Sequence, residues 1–328
     1  MLLEISLVFL ILIFVWIIIT FRRWKRNIIS TLIKNSKIAK TSQGEIEYVL
    51  KGEGPVLLVL HGGPGGYDQS MLDAEMWIEE GFSILAISRP GYLRTPLSSG
   101  ETYEEQADAI DALLTTLGVS KVAVMGNSAG GPVALHFTLR HPDKAGALVL
   151  IAAVSQEYIV RESQKKSLLE RIYLSDTLAD IGVWIFDILT RRWSTFSLKQ
   201  MFKENVSLSS NARDVYVKQV MSIPEQVDWF KRFIRSSCPI STRMQGLNND
   251  VAQMENVAFS NLEDIKCPTL VVHGTVDTNV SFTNAEYSAS KIPNARLCKL
   301  DSVGHIVWLG EHVPMMNSEI VQFLRESC

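Results

Sequence analysis

The stretch Val122-Ala123-Val124-Met125-Gly126-Asn127-Ser128-Ala129-Gly130-Gly131 decides how the remaining residues are read. Four apolar residues form a strand-like run, G-x-S-x-G follows at once, and a helical pattern continues through residues 130–140. A serine in this setting lies on a sharp strand-to-helix turn that lifts its hydroxyl above a sheet. The small neighbours let adjoining backbones approach closely. Ser128 is therefore the candidate nucleophile, and the order strand, turn, helix carries more weight than the five-letter match.

Working outward, short apolar runs alternate with helical patterns, which predicts an α/β fold with a mostly parallel sheet covered by helices on both faces. Residues 56–60 read as an interior strand and residues 82–87 as the next. Ile46, Tyr48 and Leu50 alternate with polar residues and meet Lys51-Gly52-Glu53-Gly54, which reads as a hairpin turn. Helices are expected over residues 70–80, over 103–117 behind a Thr102/Glu105 capping box, and over 311–325 with Pro314 in the first turn. Further strands fall at 147–151, 269–272 and 295–300. Between residues 155 and 260 no strand pattern occurs, and about a hundred strandless residues within a sheet domain imply an inserted helical cap. The core is thus expected at 45–154 and 261–328. The cap's aromatic clusters (Trp184 to Phe186, Trp193 with Phe196, Trp229 and Phe230 with Phe233) are expected to hold and dock it, or to line a pocket.

A serine hydroxyl needs a base. Of six histidines, His305 follows both the serine and a suitable acid in the chain, in a loop after the strand ending near Leu300. The acid is Asp277, just beyond the 269–272 strand, where a carboxylate can fix the imidazole tautomer. Asp301 lies too near His305 in sequence and Asp264 precedes the strand. His61-Gly62-Gly63-Pro64-Gly65-Gly66 follows the 56–60 strand, and its glycines can turn backbone N–H groups inward. The expected oxyanion donors are the N–H groups of Gly63 and Ala129, with His61 bracing the loop.

The motifs HGGPGG, SRPGY (at 88–92), GNSAGG, HGTVD and GH occur in this order. On them the chain resembles the α/β-hydrolase superfamily over residues 45–328, the cap excepted. HGGPGG resembles the prolyl aminopeptidase branch, whose elbow is G-G-S-W-G, whereas Ala129 stands here in place of Trp. The resemblance implies hydrolysis of an ester or related acyl bond through an acyl-Ser128 intermediate, with no organic cofactor and no metal. Aminopeptidase action, acyl transfer and carbon–carbon bond hydrolysis use the same triad. A binding protein that has lost catalysis would show a broken triad or a blocked oxyanion loop.

At the other end of the chain, residues 5–21 carry no charge and are apolar all round, about the minimum needed to span a hydrocarbon core of roughly 30 Å. Glu4 precedes the run and Phe21-Arg22-Arg23-Trp24-Lys25-Arg26 follows it, a flank suited to stop-transfer rather than to signal cleavage. Residues 1–26 therefore read as a transmembrane anchor and 27–44 as an amphipathic or irregular tether. The positive-inside rule places the large domain on the cytoplasmic side. A net charge of -3 gives no case for nucleic acid. The four cysteines show no CxxC pair, and Cys267 and Cys298 read as small buried residues. The expected partners are a bilayer and a small acyl substrate, lipid-derived molecules among them.

Overall fold

The computed structural model describes residues 2–158, 175–255, 257–259 and 261–327. Eight strands form one sheet: β1 (Lys37–Thr41), β2 (Gly44–Lys51), β3 (Val56–Leu60), β4 (Ser83–Ile87), β5 (Val122–Asn127), β6 (Ala145–Ile151), β7 (Thr269–Gly274) and β8 (Ala295–Leu300). Their spatial order is β1-β2-β4-β3-β5-β6-β7-β8. The first two pairings, β1 with β2 and β2 with β4, are antiparallel, and every later one is parallel. The turn at residues 51–54 is not a hairpin, because β4 lies between β2 and β3. The hairpin is one connection earlier, at Ser42 and Gln43, where Thr41 faces Gly44.

Alternation along β3 shows how the sheet is covered. Leu57 and Val59 pack on one face with α2 (Tyr67–Ala74) and α10 (Val313–Ser327). Leu58 and Leu60 pack on the other with α3 (Tyr103–Leu117) and α4 (Gly131–Arg140). Each such fully buried side chain contributes about 1.5–3 kcal/mol, so both faces drive folding. The expected capping box is formed: the Thr102 side chain accepts from the Glu105 N–H, and the Glu105 carboxylate accepts from the Thr102 N–H. Gly118 ends α3 in the left-handed conformation. Cys267 and Cys298 are half-buried, while Cys238 is the fully enclosed one. Cys298 lies on the edge strand β8, and Cys267 in the segment that leads into β7.

Within residues 175–255 the segment is helical: α5 (Asp176–Arg192), α6 (Ser194–Asn205), α7 (Ser210–Met221), α8 (Pro224–Arg235) and α9 (Met244–Met254). The cap expected over 155–260 also takes in residues 159–174, Asn256 and Ser260, which lie outside the described residues. Trp229 and Phe230 dock the cap, and Trp229 stacks on Trp308 of the core with centroids 5.7 Å apart. Trp193 and Phe196 do neither job expected of them, for they are 61% and 50% exposed.

Helix α1 (Leu2–Asn35) also departs from expectation. The chain does not loosen into a tether after residue 26; the helix runs on to Asn35, and β1 then joins the sheet edge. The cause is an apolar face of Phe21, Trp24 and Ile28, at helical spacing, buried against Ile181, Val183 and Trp184 of α5 and against Cys238. Trp24 Nε1 donates to Asp187 at 2.9 Å, and Lys25 pairs with the fully buried Asp180 at 2.6 Å. From Ile5 to Ile19 the apolar side chains other than Ile18 are exposed, and the helix is long and apolar enough to cross a membrane.

Candidate active site

The elbow is built as its residues require. Strand β5 ends at Asn127, Ser128 to Gly130 form a single 3-10 turn, and α4 begins at Gly131. Ser128 has φ 52°, in the left-handed region that costs a side-chain-bearing residue about 1–3 kcal/mol. Crowding keeps Gly130 a glycine: a Cβ there would lie 2.3 Å from the Leu60 carbonyl oxygen. The elbow is also braced from behind, since Asn127 Nδ2 donates to the buried Asp73 carboxylate oxygen at 2.9 Å. Burial pushes the Asp73 carboxyl well up, more strongly than the Asn127 hydrogen bond pulls it down.

His305, 177 residues beyond Ser128, reaches the serine, and Asp277, 28 residues before His305, reaches the histidine. His305 Nε2 lies 3.0 Å from Ser128 Oγ, and His305 Nδ1 lies 2.7 Å from Asp277 Oδ2. A carboxylate can only accept, so Nδ1 carries the proton and Nε2 is free to take one from the serine. Asp277 is itself fixed: its Oδ1 accepts from the N–H groups of Asn279 at 2.7 Å and Val280 at 3.0 Å. Burial would raise its carboxyl, but the His305 charge and the hydrogen bonds from His273 and His305 outweigh burial and hold it well below the usual carboxylate range.

The glycine loop lies directly over the nucleophile. A Cβ on Gly62 would come within 2.9 Å of Ser128 Cβ and 3.4 Å of its Oγ. Ala129, second in the 3-10 turn, has one of the N–H groups that a helix start leaves without an intrahelical partner. Gly63 sits beside Leu247 and the Tyr92 hydroxyl. His61 braces this loop: it is fully buried, its Nδ1 donates to the Gly62 carbonyl at 2.7 Å, and its Nε2 accepts from the Arg89 N–H at 3.0 Å. Burial, then the Arg89 charge, lowers its basicity well below normal, so it stays neutral.

Three contributors were not singled out from sequence. His273, at the end of β7, directs Nε2 at both Asp277 Oδ2 (3.2 Å) and the Val280 carbonyl (3.0 Å), a second brace on the acid. Its spacing of four residues from Asp277 was the available signal. Arg89 and Tyr92 of the SRPGY motif both reach the cap: Arg89 Nη1 donates to Asp250 Oδ1 at 2.8 Å, its Nη2 donates to Oδ2, and the Tyr92 hydroxyl donates to Oδ2 at 2.6 Å. The end of α6 forms the third: Val206 bridges Asp277, and the Asn205 carbonyl accepts the His305 N–H at 3.4 Å. Beside the nucleophile, Ala129, Val154, Met254 and Val280 form an apolar cluster with Val251 and Tyr158 against it. Among the described residues, no group of three or more His, Cys, Asp or Glu side chains could hold a metal ion.

The family model for the alpha/beta hydrolase fold matches residues 55–311, from the start of β3 to beyond His305. The chain belongs to the α/β-hydrolase fold family. It is a hydrolase of that family, and its relatives agree. An uncharacterized hydrolase of Bacillus subtilis, YcgS, is 28% identical over 285 residues, spanning 86% of this chain and 95% of that one. A 2-hydroxy-6-oxononadienedioate/2-hydroxy-6-oxononatrienedioate hydrolase of Burkholderia vietnamiensis is 25% identical over 283 residues, 82% and 86% of the two chains. Among solved structures, an α/β-hydrolase fold protein from Nakamurella multipartita superposes with a TM-score of 0.78 at 29% identity, covering 88% of this chain and 99% of that one.

Proposed function

We propose that this α/β-hydrolase is a membrane-anchored serine hydrolase that cleaves a carboxylic ester or related acyl bond of a small or lipid-derived substrate. The observation that carries the reading is the unbroken relay from Asp277 through His305 to Ser128, at 2.7 and 3.0 Å. Ser128 Oγ attacks the acyl carbon while His305 Nε2 takes its proton, and the charge on the imidazolium is held by Asp277. The oxyanion is received by the N–H groups of Gly63 and Ala129, each such donor being worth roughly 3 kcal/mol of barrier. His305 then protonates the leaving group, and water attacks the acyl-serine by the reverse route.

The anchor is supported by the exposed apolar side chains upstream of Phe21 and by the basic flank at Arg22, Arg23 and Arg26. It is supported too by the burial of Phe21, Trp24 and Ile28 in the cap, which makes the downstream half of α1 part of the fold rather than a leader to be removed.

Carbon–carbon bond hydrolysis is the second reading, favoured by the name of the Burkholderia relative. That name describes a dicarboxylate, whose charges call for cations in the pocket. The two fully buried arginines beside the glycine loop are already engaged, Arg89 by Asp250 and the His61 carbonyl, Arg243 by Asp68 and the Gly65 carbonyl. The apolar cluster beside Ala129 suits an uncharged acyl group better. Fluorophosphonate labelling of wild type and Ser128→Ala, with p-nitrophenyl esters of rising chain length, tests the proposal. Labelling that depends on Ser128 together with ester turnover supports it; labelling with no turnover of any ester transfers support to the carbon–carbon reading.

A further inference from the structure

The cap has an exposed apolar corner that the catalytic reading leaves unused. On α5, Ile185 and Ile188 are 48% and 37% exposed, and the corner between α5 and α6 presents Trp193 and Phe196, still more exposed. A helix facing only water places polar residues at such positions. The surroundings are basic: Arg191 and Arg192 end α5, and Arg22, Arg23 and Arg26 are exposed on α1.

The pairing of α1 with α5 tells where this corner lies. Lys25 meets Asp180, Phe21 and Trp24 pack on Trp184, and Trp24 donates to Asp187. Further along, Trp16, Thr20 and Arg23 share a cavity of about 420 Å³ with Ile188, Arg191 and Arg235. As numbers rise on α5 they fall on α1, so the two helices run in opposite directions and α5 heads toward the apolar run of α1. From Asp187, level with Trp24, to Trp193 is six residues, at most about 9 Å of helix. That length brings Trp193 level with the last turns of the apolar run, inside its boundary at Phe21.

We infer that the corner between α5 and α6 is a second membrane contact, seated in the interface of a bilayer rich in anionic lipid. The inference rests on reading α1 as a membrane span. Trp193, Phe196 and Ile188 enter the headgroup and acyl boundary, the depth of about 5–10 Å typical of interfacial helices. Arg22, Arg23, Arg191 and Arg192 lie at headgroup height, where each basic side chain is drawn to anionic lipid. Asp187, which accepts from Trp24 and pairs with Arg191 at 2.9 Å and Arg235 at 3.4 Å, ties the two elements into one rigid footing. The span and the corner together hold the cap against the bilayer instead of letting it swing on a single helix.

The experiment uses the full chain in phosphatidylcholine vesicles containing phosphatidylserine, with a dansyl-bearing amino acid introduced at position 193, 196 or, as control, 297. Leu297 is 39% exposed on the edge strand β8. Alkaline carbonate extraction is run on the same samples. The expected result is a chain that resists extraction, a blue-shifted probe at 193 and 196 quenched by roughly half with brominated acyl chains, as an interfacial depth implies, and an unaffected probe at 297. An anchored chain whose probes at 193 and 196 report water overturns the inference while leaving the span intact. Blue shift without quenching by brominated lipid also overturns it, since protein would then cover the corner. A chain released by carbonate removes the span itself, and the inference with it, without touching the hydrolase reading.

Discussion

Replacing Asp250 by alanine removes the carboxylate that both terminal guanidinium nitrogens of Arg89 and the Tyr92 hydroxyl reach, in a place where neither charged side chain is more than 1% exposed. Arg89 cannot shed its charge or turn to water, because its Nε is also held by the His61 carbonyl. Removing one member of such a buried pair costs about 3–5 kcal/mol, most of it the penalty for the stranded charge. At roughly 2.1 cal/mol/K per residue the unfolding entropy of the 328-residue chain is about 0.7 kcal/mol/K, so the melting temperature should fall by about 4–7 °C. The assay is thermal unfolding of the detergent-solubilised full chain, run also on Arg89→Met and on the double variant Arg89→Met/Asp250→Leu. The double variant should be more stable than Asp250→Ala, because it strands no charge. A fall equivalent to less than about 1 kcal/mol, or a double variant as unstable as the sum of the singles, would refute the reasoning.

Asp277→Asn should lower kcat by about 10⁴ with a small change in KM, because an amide that donates toward His305 favours the wrong tautomer; ester turnover checks it. Gly62→Ala should cost on the order of 10² in kcat, since its Cβ would displace Ser128 from a site only 2.9 Å away; the rate of fluorophosphonate labelling should fall in parallel. The Asp73 carboxyl is raised in the fold above its ordinary value of 3.8, so the folded chain keeps a proton that the unfolded chain gives up. Its stabilising effect is complete below that ordinary value and is lost as pH rises through the folded one. Asp73→Asn should therefore gain in melting temperature over wild type as pH is raised from about 4 to about 8, and a gap independent of pH would contradict this.

The parts of the molecule that sequence made legible are those whose local chemistry and neighbours agree. Residues 122–131 combine an apolar run, small residues and a helix start, so the elbow could be read without tertiary information. Thr102 and Glu105 did the same for α3. The turn at residues 51–54 misled because the pairing of β2 depends on β4, more than thirty residues further on, and not on the glycines beside it. The stretch after residue 26 misled for a related reason: the helix there is sustained by Trp184 and Asp187 of the cap, contacts more than a hundred and fifty residues away. Asp250 was invisible as a site residue because its role is to hold Arg89 and Tyr92, and a partner across the fold leaves no mark at its position, whereas His273 had only its four-residue spacing from Asp277 to mark it.

The stitching of α6 to the catalytic loops has a mechanical consequence. Val206 bridges the acid, Asn205 holds the backbone of the base, and the Ser207 N–H donates to the Val276 carbonyl at 3.0 Å. A cap fastened at this point is a keystone rather than a door. Lifting it as a rigid body would pull Asp277 and His305 out of register with Ser128, so any opening for substrate has to come from parts of the cap other than residues 205–207. By the same logic, excising the cap to widen access would dismantle the relay it was meant to expose.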